Sequence, residues 1–135
     1  MGVIAEVCDD VLVMYAGRMV ERGSVDAIFE HPSHPYTWGL MSCLPRLNLQ
    51  ARRLHSIPGS PPSLLMPPQG CLFHPRCSYA MDLCMKLQPE MKRVGYDGRP
   101  HLTACHLDES FRDQESRKMF DWEEPRRDRN ERPHP

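Results

Sequence analysis

Much of what a self-sufficient or exported domain needs is scarce or missing in this sequence. Leu, Ile, Val and Phe are few, and 14 prolines are scattered through 135 residues, a make-up that argues against a large core of the chain's own. The opening residues carry no basic start followed by an apolar stretch, so no secretory leader is expected. No segment comes near the roughly 20 apolar residues needed to cross a bilayer. An excess of charge of either sign is also lacking: 17 basic side chains face 18 acidic ones, for a formal net charge of -1. No global field therefore points to nucleic acid or to an anionic membrane as a partner. The motifs G-x-x-x-x-G-K-[ST], G-x-G-x-x-G and H-E-x-x-H are all missing, so no hydrolytic machinery is expected within these residues. The chain reads as soluble and cytoplasmic. Thiols stay reduced in that compartment, so its six cysteines are expected to be free, metal-bound or redox-active rather than paired in disulfides.

What is present divides the chain into four stretches. Residues 1–45 hold short elements. VIAEVC (3–8) reads as the last turns of a helix, and VLVMY (11–15) with RMVERG (18–23) around Ala16-Gly17 reads as a β-hairpin. VLVMY is apolar throughout, which predicts a strand covered on both faces by elements this sequence does not contain. Ser24 is placed to cap a helix over VDAIFE, which Pro32 stops; a second helix starts at Pro35 and ends by Pro45. Residues 46–69, with IPGSPPSLLMPP, predict an extended Pro-rich connector lying on a surface. Residues 70–107 read as a loop-rich four-cysteine module with one helical turn over YAMDLCMK, shaped by something other than a core. In residues 108–135, 9 acids and 7 bases make up 16 of 28 positions. That composition predicts a disordered tail, although FRDQESRKMFDW has the makings of an exposed helix.

The chemistry-bearing residues are Cys71, Cys77, Cys84 and Cys105, spaced C-x5-C-x6-C-x20-C. Four thiolates from a loop-rich segment suit one Zn(II) or one iron-sulfur cluster. Structural zinc favours knuckles of two to four intervening residues, whereas gaps of five and six suit a wider object such as a cubane. Reduced cysteines packed as small hydrophobes remain an alternative. His74, Arg76 and Lys86 are candidates to balance a negative thiolate site. Cys8 and Cys43 stand apart and are expected in a core. His34 and Tyr36 in HPSHPY suggest acid-base work, but a structural role at a helix start is preferred, since no nucleophile lies nearby in sequence.

The order of segments adds a resemblance. MGVIAEVCDDVLVMYAGRMVERGSVDAIFEHPSHPYTWGLMSCLPRL, then RLHSIPGSPPSL, then GCLFHPRCSYAMDLC with TACHL, resembles the C-terminal part of an ATP-binding subunit of the oligopeptide/dipeptide ABC importers over residues 1 to about 107. The resemblance implies an α/β fragment: the terminal helix and β-hairpin of an ABC ATPase domain, followed by short helices and a cysteine-containing extension. It implies that this extension binds a [4Fe-4S] cluster through Cys71, Cys77, Cys84 and Cys105, as some members do. It implies partners as well, a second ATP-binding subunit and transmembrane permease subunits at the inner face of the membrane. No catalytic residue carries over, because the family's nucleotide-contacting motifs precede the segment equivalent to Met1. ATP is expected to bind only in a full-length protein, and the chain alone is not expected to hydrolyse it. The chain reads as a fragment, a truncated product or a separately started piece. A redox-sensing module, or a zinc-binding interaction protein unrelated to transport, are the alternatives.

Overall fold

Two β-rich runs meet at a turn whose residues, Ala16 and Gly17, both adopt positive φ, 48° and 78°. That is the conformation in which a two-residue loop matches the twist of paired strands. The computed structural model describes residues 2–43, 57–95 and 98–120. In it the turn joins β1 (Asp10–Tyr15) to β2 (Arg18–Ser24), with a register shift between Val13 and Met14. Val11, Val13 and Tyr15 face inward, while Leu12 is 51% and Met14 53% exposed. Within this chain one face of β1 is covered and the other is open, because successive side chains leave a strand on opposite sides and the chain's own packing elements lie on one side; the covering expected from elements outside this sequence is not in view.

Helix α1 (Gly2–Val7) precedes the hairpin, and α2 (Val25–Glu30) and α3 (Pro35–Ser42) follow it. Ser24 caps α2 by accepting the Ala27 N–H at 3.1 Å, which satisfies one donor of the open first turn. Pro35 stands in the first turn of α3, and the His34 ring accepts the Tyr36 N–H at 3.0 Å. Tyr36 packs on Tyr15 and Phe73, with ring centroids 4.7 and 5.4 Å away. Both residues have the structural role preferred for them. Helix α3 ends at Ser42 with Cys43 as its C-cap; Pro45 lies outside the described residues, as do residues 46–56 of the connector.

Residues 57–107 do not stand apart from the hairpin. Phe73 joins Val11, Val13, Tyr15, Val20 and Ile28 in one core, with Ile57, Cys71 and Cys77 packed against it. Two short strands, β3 (Lys92–Val94) and β4 (His101–Thr103), extend the hairpin into a four-stranded antiparallel sheet of order β1-β2-β4-β3. Glu21 pairs with Thr103 and Arg22 with Leu102. The chain is thus a small α/β structure, and the cysteine segment owes part of its shape to a core, contrary to expectation. Three-residue strands reading KRV and HLT carry too little alternation to announce themselves.

Helix α4 (Asp82–Lys86) supplies the expected helical turn. The disordered tail expected from residue 108 is corrected for its first part, because Glu109–Phe120 form a 12-residue helix, α5. Asp108 caps it, accepting the Ser110 N–H at 3.0 Å, and the helix has Glu109 in its first turn and Arg117 and Lys118 in its last, charges that oppose the helix dipole. Nor is it fully exposed. Arg112, Ser116 and Phe120, four residues apart, form its buried side, and Phe120 packs with Trp38 and Met41 of α3 in a second cluster. Residues 121–135 lie outside the described residues. Among those described, no helix is long and apolar enough to cross a membrane.

Candidate functional site

The four cysteines of the spaced set come from three places: the turn after Gly70, helix α4 and the exit of β4. Gly70 has φ 71°, and a Cβ added there would collide with the Cys84 carbonyl. Glycine thus lets the two backbones touch, and the Cys71 N–H donates to that carbonyl at 2.8 Å. A single 3-10 turn, His74–Arg76, then carries the chain to Cys77, whose N–H donates to the His74 carbonyl at 3.2 Å. Cys84 is buried, and Cys71, Cys77 and Cys105 are half-buried.

Burial dominates the thiols' acidity. It pushes Cys71 and Cys105 up and takes Cys77 to about 11, because a thiolate loses more solvation than a thiol. The next influences are opposed and patterned. Each of these thiols is eased by a backbone hydrogen bond from the residue two positions ahead: Phe73 for Cys71, Tyr79 for Cys77 and Leu107 for Cys105. Each is also raised by other members of the set, Cys77 by all three. Charge on other members of the set bears on Cys71, Cys77 and Cys105, which places the set in one region of the protein. Such N–H groups favour the negative form that a soft metal demands. Among the described residues, however, no group of three or more His, Cys, Asp or Glu side chains is arranged to hold a single metal ion.

The expected charge-balancing residues divide. His74 stays at the site, its Nδ1 2.8 Å from the Cys71 carbonyl. Arg76 turns elsewhere and holds the connector in place, donating to the carbonyls of Pro58 at 2.8 Å and Ile57 at 3.1 Å. Lys86 is exposed. The cation beside Cys105 is instead Arg112 of α5, a residue the composition of the tail concealed. Cys43, expected in a core, is exposed, and Cys8 is half-buried; Cys43 falls one residue past the end of α3, beyond the side that Trp38 and Met41 bury.

A second polar centre was not foreseen. Glu21 of β2 is completely buried and gathers four donors: the N–H groups of Ser33 at 2.6 Å and His34 at 3.0 Å, the Thr37 hydroxyl at 2.5 Å and His101 Nε2 at 2.8 Å. It ties the sheet to the start of α3 and across to β4. His34, also buried, is pushed down to about 4, chiefly by desolvation of its charged form and against the pull of Glu21. Both oxygens of Glu21 are held by partners from the start of α3 and from β4, so the centre clamps these elements together.

Residues 20–84 match the family model described as oligopeptide/dipeptide transporter, C-terminal region. The chain belongs to this family. It is 48% identical over 112 residues to a dipeptide transport ATP-binding protein, DppD, of Caldanaerobacter subterraneus, covering 83% of this chain and 33% of that protein. It is 52% identical over 107 residues to an oligopeptide transport ATP-binding protein, OppD, of Haemophilus influenzae (79% and 32%), and 50% over 95 residues to OppD of Bacillus subtilis (70% and 26%). The chain spans about a third of the length of the first two relatives. Within this oligopeptide/dipeptide transporter family, the matched region runs from β2 to Cys84. It takes in the Glu21 clamp's first three partners and three of the four set cysteines.

Proposed function

We propose that this chain is the C-terminal region of an ATP-binding subunit that energises peptide uptake, acting at the cytoplasmic face of the membrane beside a second such subunit and permease subunits. The identity of about half the residues to dipeptide and oligopeptide transport ATP-binding proteins carries this reading. On it, α1 and the hairpin close an ABC ATPase domain, and the residues after them form an extension with a structural or regulatory role. An exchange tests it. This chain is placed over the matching C-terminal residues of Bacillus subtilis OppD, and uptake of a labelled oligopeptide is measured in cells lacking OppD. Restored uptake is expected; a chimera that accumulates to normal level yet leaves uptake at the null level overturns the proposal.

The finer reading is that Cys71, Cys77, Cys84 and Cys105 hold a [4Fe-4S] cluster. It is supported by the C-x5-C-x6-C-x20-C spacing and by three thiols, Cys71, Cys77 and Cys105, each eased by a backbone N–H two residues on and raised by at least one other of the set. A cluster bound there would cross-link three segments and supply one-electron chemistry. Chain purified without oxygen should be brown, with about four irons, and Cys77→Ser should lose them while Cys43→Ser keeps them. Colourless protein with one zinc per chain, or equal loss in both variants, refutes the assignment.

A further inference from the structure

A concave site lies where α3, the end of the connector and the last turn of α5 come together. It is an open-sided cavity of about 130 Å³, with Trp38, Ile57, Phe73, Tyr79 and Met119 among its walls and Arg76 beside them. An apolar cavity of about that size takes up one benzene ring. The aromatic walls are already fixed in place: the Trp38 indole N–H donates to the Pro32 carbonyl at 2.7 Å, and the Tyr79 hydroxyl donates to Glu115 at 3.1 Å. These two rings stand edge to face, at 89° with centroids 5.5 Å apart. An aromatic guest would meet ring faces, ring edges and the Met119 thioether, all of them favourable neighbours for a π system. Little ordering of the walls opposes its entry.

Arg76 sets the charge that such a guest should carry. A guanidinium holds five N–H donors in a rigid fork and stays charged at any physiological pH. Arg76 donates to the Pro58 and Ile57 carbonyls and, at 3.4 Å, to the Tyr15 hydroxyl, which leaves part of the fork for another acceptor. No carboxylate pairs with it among the described residues. The lining holds no acidic side chain, so a cationic guest would find no counter-charge there. We propose that this cavity binds a small aromatic carboxylate, with its ring against Trp38, Phe73 and Tyr79 and its carboxylate at Arg76. The guest touches α3, the connector and α5 at once, so its binding braces the three together. The proposal stands independently of the transport and cluster readings.

The test titrates the full chain, in a Trp122→Phe background that leaves Trp38 as the one tryptophan, with phenylacetate, benzyl alcohol and acetate. Phenylacetate should shift Trp38 emission saturably, with a Kd of about 1 mM or tighter. It should bind about threefold or more tighter than benzyl alcohol, which has the ring without the charge. Acetate should give no saturable shift. Ser78 lines the cavity and is exposed, so Ser78→Phe should fold, fill the cavity and abolish the phenylacetate response. Arg76→Met should bring the preference for phenylacetate over benzyl alcohol down to about one, a ratio that a merely structural arginine would leave unmoved. High salt should shrink the same preference in the unaltered cavity, whether or not that variant folds. No saturable response to phenylacetate, equal affinity for the two ring compounds, or a response that persists in Ser78→Phe overturns the proposal.

Discussion

Replacing Glu21 by Ala should be among the most damaging single changes available to this chain. The substitution removes two oxygens and strands four donors, the Ser33 and His34 N–H groups, the Thr37 hydroxyl and His101 Nε2, in a region that water does not reach. Each stranded buried donor costs about 1–3 kcal/mol. The two side-chain donors are able to turn toward other acceptors and the backbone pair is not, so the net loss should be about 3–5 kcal/mol. That is a fifth or more of the total stability typical of a small domain, about 5–15 kcal/mol. Thr37→Val removes one donor and should cost only about 1–2 kcal/mol. Urea unfolding followed by Trp38 fluorescence in a Trp122→Phe background would measure both. Trp38 is a local reporter, since its indole N–H donates to the Pro32 carbonyl at 2.7 Å, one residue before Ser33. Glu90 is exposed, and Glu90→Ala serves as the control, within about 0.5 kcal/mol of wild type. If Glu21→Ala costs no more than this control, the clamp contributes nothing and the reasoning fails.

His34 makes stability depend on pH. Its folded pKa of about 4 lies below the ordinary 6.5, so the unfolded chain takes up the proton first; stability is complete above about pH 6.5 and declines as pH falls toward 4, by up to roughly 3 kcal/mol. His34→Asn, which keeps an acceptor for the Tyr36 N–H, should flatten the fall in urea midpoint between pH 7 and pH 5, and an unchanged slope would count against it. Gly70→Ala should disrupt the contact with the Cys84 carbonyl and, on the proposed cluster assignment, abolish iron loading. Gly17→Ala, with φ 78° but open space around it, should cost about 1 kcal/mol and leave loading intact, so equal effects on iron content would contradict the site as described. Phe120→Ala should cost about 3 kcal/mol and shift Trp38 emission to the red, whereas a tail that does not dock would give no shift.

What the sequence determined by itself is what neighbours along the chain decide. Two β-rich runs around Ala16-Gly17 specify a hairpin, Ser24 and Pro35 start helices, and DLCMK makes one helical turn, because each of these rests on bonds or steric limits within four or five residues. The HPYTWGL, IPGSPP and FHPRC stretches likewise carried the family without any coordinates. The signs of α5 were there to be read as well: Asp108 as a cap, acid at its start, base at its end, and Arg112, Ser116 and Phe120 at helical spacing. They allowed FRDQESRKMFDW as an exposed helix; high overall charge hid that it docks. Tertiary structure alone decided the rest, because its partners are distant. Glu21 meets Ser33, His34 and Thr37 at separations of 12, 13 and 16 residues, and His101 at 80. No local rule turns a glutamate in MVERG into a buried clamp. Strands β3 and β4 exist because β2 offers an edge to pair with, and only folding shows which side of VLVMY is covered. Arg112 reads as one charge among many in the sequence. It becomes a buried cation only when α5 docks with Phe120 against Trp38 and Met41, since burial and Coulomb interactions depend on distance in space and not along the chain.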